Sequence, residues 1–122
     1  MITQENIDDL LSVNLLPPED GFDKYDPFKL GQTIGIYDIL FPNVKIWCFA
    51  TYDKALSLEH TIGPGKEFYL EIHTETKEAE FSVMDFTKVN QRYIIEERTF
   101  RLPEEFNQLK KVVETYFPET RP

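Results

Sequence analysis

The sequence predicts an α+β protein: a single antiparallel β-sheet of about five strands, covered by N- and C-terminal helices. Three observations lead there. Apolar residues recur at helical spacing near both ends, the middle of the chain alternates with a period of two, and short turn signals separate its strand-like runs. At 122 residues the chain fits a single domain, residues 1–122, long enough to bury a real core.

Taken in order, Thr3–Leu16 reads as a helix. Thr3 can cap it, Glu5, Asp8 and Asp9 favour the positive end of its dipole, and Ile7, Leu10 and Leu11 recur at helical spacing. Pro17-Pro18 stops it, and the polar stretch Glu19–Phe28 is the candidate for a long loop. From Gln32 the period is two. Thr33–Phe41 and Val44–Tyr52 read as strands about a Pro42-Asn43 turn, and the second, apolar on both faces, suits the middle of a sheet. Asp53–His60 fits a short helix or a loop, and Gly63-Pro64-Gly65 is a turn.

Glu67–Glu75 is the cleanest strand. Phe68, Leu70, Ile72 and Thr74 face one way; Glu67, Tyr69, Glu71, His73 and Glu75 face the other. Beyond a turn at Thr76-Lys77-Glu78, Glu80–Val89 and Arg92–Leu102 form a second hairpin about Asn90-Gln91, although Phe81–Val89 also fits a helical stretch. At the end, Pro103 takes the first helical position with Glu104 and Glu105 in the first turn. Phe106, Leu109, Val112, Val113, Tyr116 and Phe117 then keep helical spacing up to Pro118.

Charge is the most informative feature for function. The formal net charge is -9, and residues 1–26 supply most of it through Glu5, Asp8, Asp9, Glu19, Asp20, Asp23 and Asp26 against Lys24 alone. Such a field speeds encounter with a basic partner and speaks against nucleic acid as a ligand. The apolar runs are too short to span a bilayer and the start lacks a signal-peptide pattern. Cys48 is the single cysteine, which points to a reducing compartment, so a cytoplasmic location is expected.

The residues propose no catalytic centre. His60 and His73 have no metal-ligand spacing, and His73, between Glu71 and Glu75 on a polar strand face, reads as a solvated surface histidine. The adjacent acid pairs (Asp8-Asp9, Glu19-Asp20, Glu96-Glu97, Glu104-Glu105) diverge rather than converge on one pocket and read as helix-end complements or surface. Gly31-Gln-Thr-Ile-Gly35 lacks the lysine of a phosphate loop. No cofactor, no metal and no enzyme activity are expected. Trp47 and Phe49 admit two placements: beside Tyr69, Glu71 and His73 in an aromatic and acidic patch, or in the core under the C-terminal helix. The wide apolar stripe of that helix favours the core.

Asp26-Pro27, Ile36-Tyr37, Trp47-Cys-Phe-Ala-Thr-Tyr52 and Gly65-Lys-Glu-Phe-Tyr-Leu-Glu-Ile72 together resemble the bacterial suppressor-of-fused-like domains over residues 26–75, with Asp53-Lys-Ala standing where that family has Gly-Leu-Ser. Many bacterial members of that group are regarded as immunity proteins that neutralise a neighbouring toxin, and the resemblance implies the same role here.

The expectation is therefore a non-enzymatic protein-binding module, most simply an immunity protein that occludes a basic toxin domain, with Asp20, Asp23, Asp26, Tyr69, Glu71 and His73 as its partner-binding residues. The competing readings are a small acidic secretion or assembly chaperone and an enzyme with an unrecognised pocket. A mimic of nucleic acid calls for carboxylates in rows along one face, and their clustering at the N-terminus counts against it.

Overall fold

A computed structural model describes residues 1–21, 23–87 and 93–122. Its centre is an antiparallel meander of β1 (Cys48–Ala50), β2 (Ala55–Gly63), β3 (Lys66–His73), β4 (Glu78–Asp85) and β5 (Tyr93–Arg101), each strand pairing with the next. Helices α1 (Gln4–Leu11) and α2 (Pro27–Leu40) precede the sheet and α3 (Phe106–Tyr116) follows it. The predicted class is the observed one: α+β, a five-stranded antiparallel sheet with helices at both ends.

The alternation of the strands decides where the helices go. Leu56 and Leu58 of β2, Phe68, Leu70 and Ile72 of β3, Phe81 and Val83 of β4 and Phe100 of β5 share one face and are buried. They form one cluster with Leu10 of α1, Ile34 and Tyr37 of α2 and Leu109 and Val113 of α3. Aromatic edges lock this layer, with Phe117 standing 5.1 Å from both Phe41 and Phe68 in T-shaped pairs.

Several elements differ from expectation. Thr33–Phe41 is the second half of α2 rather than a strand. Asp26 accepts hydrogen bonds from the Phe28 and Lys29 amides at 2.9 and 3.1 Å and Pro27 follows it, so the chain enters a helix seven residues before the alternating run begins. Burial of Leu30, Ile34, Tyr37 and Leu40 then outweighs the low helix propensity of Gly31 and Gly35. Residues of the Asp53–His60 stretch belong to β2, whose Leu56 and Leu58 face inward while Ser57 and Glu59 face outward.

Val44–Tyr52 is not a central strand. Three of its residues form β1 at the sheet's edge, with Cys48 buried and Trp47 and Phe49 each 43% exposed on the side away from the helices. Residues of the Phe81–Val89 stretch are extended in β4 as far as Asp85. At the last helix Glu105 turns back on Arg101, taking its amide on the carboxylate at 2.9 Å, so Pro103 lies in a turn and α3 starts at Phe106. The Glu19–Phe28 loop is cut short by a 3-10 turn at Pro18–Asp20 and by α2. Within it Tyr25 is buried and doubly bonded through its backbone to the Asn14 carboxamide at 2.7 Å. The expected Asn90-Gln91 turn lies outside the described residues.

The outer edge of β1 is closed by a side chain rather than a strand. Buried Asn6 donates to the Cys48 carbonyl at 2.8 Å and accepts from the Cys48 amide at 2.7 Å. A carboxamide carries the donor and acceptor of a peptide group, so Asn6 takes the place of a neighbouring strand at this one residue. Asn6→Leu is expected to orphan both backbone groups and lower the unfolding free energy by about 2–5 kcal/mol in a urea titration. A loss below about 0.5 kcal/mol would mean that water replaces the carboxamide.

The β2–β3 turn depends on Gly65, which has φ +67° and sits where a Cβ would meet Thr87 Cγ2 at 2.5 Å. Gly65→Ala is expected to cost about 1–3 kcal/mol, read as a lowered Tm.

Candidate protein-binding surface

Residues that alternate with the core positions look away from the helices, and the strand register sets them in rows. Phe49, Ser57, Glu71, Glu80 and Thr99 stand opposite one another from β1 to β5. Glu59, Tyr69, Ser82 and Glu97 make the next row, and Thr61, Glu67, Met84 and Ile94 the one beyond. Neighbouring strands lie about 4.8 Å apart and rows about 7 Å apart, so Glu59 and Glu97 are separated by about 14 Å.

Charge is sorted across the sheet. Glu59, Glu67, Glu71, Glu78, Glu80 and Glu97 take the open face, where the strands place Arg101 and His73 as the basic side chains. On the helix side of the same strands Lys66 and Arg98 accompany Asp85 and Glu96. Between the carboxylates the small Ser57, Ser82 and Thr99 leave a trough of about 500 Å³ that Glu59, Glu71, Glu80, Glu97 and Tyr69 also line.

The most crowded carboxylate is Glu71. It is paired across strands with Glu80, and at the end of the sheet a depression of about 190 Å³ adds Asp53, His73 and Glu78. Burial, reinforced by the Asp53 and Glu80 charges, raises the Glu71 pKa above the usual carboxylate range, while His73 pulls the other way. Asp53 moves in the opposite direction. The Thr51 hydroxyl donates to it at 2.5 Å and holds its pKa down, with His73 Nε2 3.6 Å from its other oxygen.

Of the six residues predicted from sequence, Tyr69, Glu71 and His73 share this face along β3. Asp23 is exposed next to the sheet's end, its amide donating to the Tyr52 carbonyl at 3.3 Å, and Asp20 is exposed in the 3-10 turn before it. Asp26 is committed to capping α2. The sequence reading missed Glu59, Glu78, Glu80 and Glu97 as members of the surface. Outward alternation in β2, β4 and β5 was the available signal, but only the register brings those strands to Glu71.

Cys48 is fully buried, and burial pushes its thiol up to about 12, which makes it inert as a nucleophile at neutral pH. Among the described residues no three His, Cys, Asp or Glu side chains are grouped to hold a metal ion. Nor, among them, is any helix long and apolar enough to cross a membrane.

The raised Glu71 pKa makes a signed prediction. A carboxyl that binds its proton more tightly folded than unfolded destabilises the fold above its folded pKa, and the penalty is relieved as pH falls through that value. Glu71→Gln is therefore expected to stabilise the protein at neutral pH by about 0.2–1 kcal/mol, the range for one opposed pair on a partly screened surface. The gain should shrink on acidification, and thermal melts at neutral and acidic pH would show it; equal gains at both would refute the carboxylate-crowding account.

Searches against protein-family models, curated proteins and solved structures found no match.

Proposed function

We propose that this chain is a protein-binding module without catalytic activity, and that it occludes a basic partner in the manner of an immunity protein neutralising a toxin domain. One observation carries this reading: six carboxylates look out from the sheet face that the helices leave open, around Tyr69 and beside the half-exposed Phe49 and Trp47. Directly opposed like charges such as Glu71 and Glu80 lower the stability of the free fold. A cationic surface laid over them converts that repulsion into attraction, which favours association over the isolated state.

The rim supplies the apolar part of an interface. Phe49 on the edge strand and Trp47 just before it are large, half-exposed aromatics suited to act as anchors within a polar surround. Asp20 and Asp23 extend the negative field past the end of the sheet. The resemblance of residues 26–75 to suppressor-of-fused-like immunity domains points the same way, and a bacterial cytoplasmic setting fits it. The chaperone reading draws on a different region, the exposed Leu11 at the end of α1 and Leu15 and Leu16 beyond it, with Leu15 85% exposed.

Tagged protein incubated with an extract of its host is expected to retain one stoichiometric basic protein at about 50 mM salt and to release it as salt rises several-fold. Glu59→Gln combined with Glu71→Gln and Glu97→Gln should weaken that retention about tenfold or more, while Leu15→Ser should leave it unchanged. Retention that ignores the three glutamates but fails with Leu15→Ser would transfer the binding site to the α1 region and favour the chaperone.

A further inference from the structure

Resting on the protein-binding reading above, we infer that the open face docks onto a protein surface that otherwise binds nucleic acid, so that this chain and a duplex compete for the same partner. The sequence argued against such mimicry because its acids concentrate before residue 27. The sheet register overturns that objection. Glu59, Glu67, Glu71, Glu80 and Glu97 come from four strands into an area of about 14 Å by 14 Å. About 14 Å of duplex axis carries about eight phosphate charges, of which about half face any one side, so the two arrays present a comparable number of negative charges to a partner.

Three further features suit an array of arginine and lysine side chains. First, the carboxylates stand on paired strands, so their backbone positions are set before binding and little ordering remains to be done. Second, the sheet keeps most of its own basic side chains off this face; Arg101 lies at its margin, opposite Glu78, and His73 at the end of β3. An ordinary protein surface mixes the two signs. Third, the small Ser57, Ser82 and Thr99 line a trough of about 500 Å³ together with Glu59, Glu71, Glu80, Glu97 and Tyr69, which gives long cationic side chains room between the carboxylates. A guanidinium stacked on that ring would gain both a cation–π contact and flanking carboxylates. Trp47 and Phe49 at the rim match a protein rather than a small polyamine.

Two measurements test this. Fluorescent nona-arginine peptide is titrated into the native protein and into two variants that each lose four negative charges. The face variant is Glu59→Gln, Glu71→Gln, Glu80→Gln and Glu97→Gln; the control is Glu5→Gln, Asp8→Asn, Asp9→Asn and Glu19→Gln, all away from the face. Far-UV circular dichroism checks that both fold. The face variant is expected to bind at least about tenfold more weakly and the control within about twofold of native. Equal losses would mean that affinity follows total charge, and would overturn the inference.

In the second measurement, the partner retained on immobilised protein is challenged with a duplex of about 20 base pairs at constant ionic strength. Release of the partner bound to duplex is the expected result. A partner that stays bound would overturn the competition while leaving the protein-binding reading intact. Retention of no partner at all would overturn both.

Discussion

One constraint organises the molecule: the strands put Leu56, Leu58, Phe68, Leu70, Ile72, Phe81, Val83 and Phe100 on one face, and α1, α2 and α3 cover that face. Each buried Phe or Leu contributes about 1.5–3 kcal/mol, and Phe68, Leu70, Phe81 and Phe100 receive that gain only under helical cover. The outward positions are thereby freed from packing. Most carry glutamate, serine or threonine, with Phe49, Tyr69, Met84 and Ile94 among them, and the carboxylate face is a consequence of covering the sheet on one side.

Polar contacts then fix how the cover sits. The Tyr37 hydroxyl, fully buried, lies 2.8 and 3.0 Å from the Leu56 and Leu70 carbonyls, tying α2 to both β2 and β3. At the start of α2 the Lys77 ammonium donates to the Lys29 and Thr74 carbonyls and to the Thr33 hydroxyl, so all three of its hydrogens are used. Apolar packing alone allows a helix to slide along a sheet; these directional bonds do not. Tyr25 does the same for the N-terminal segment, its hydroxyl reaching the Thr51 and Ala55 carbonyls at 2.6 and 3.0 Å. That contact brings the acidic stretch around Asp23 to the end of the sheet where Asp53 and His73 meet.

The open face is a place where stability is given up. Glu71 and Glu80 face one another with Asp53 close by, although a lysine in place of Glu80 would be more stabilising. The paired strands beneath hold these charges in place. In the proposed function, rigid support and unrelieved repulsion are what a cationic protein surface would exploit.

The local pattern of the sequence determined β3, the inward and outward sets of its residues, the apolar stripe of α3 and the presence of Tyr69, Glu71 and His73 on one polar face. Those features depend on neighbours two to four positions away, where alternation and helical spacing are visible in a single chain. Thr33–Phe41 was misread because β-branched residues alternate there by chance, while the deciding signals, the Asp26 cap and burial of Ile34 and Tyr37, lie upstream or in the core. The placement of Trp47 and Phe49 depended on which side of the sheet α3 covers, and their polarity says nothing about that. Glu59, Glu80 and Glu97 are far from Glu71 along the chain, and their local surroundings read as ordinary surface. Strand order and register alone bring them together, because cross-strand hydrogen bonding sets which residues are opposite one another. The tertiary structure therefore decided the charge pattern of the open face, although every carboxylate in it was already visible in the sequence.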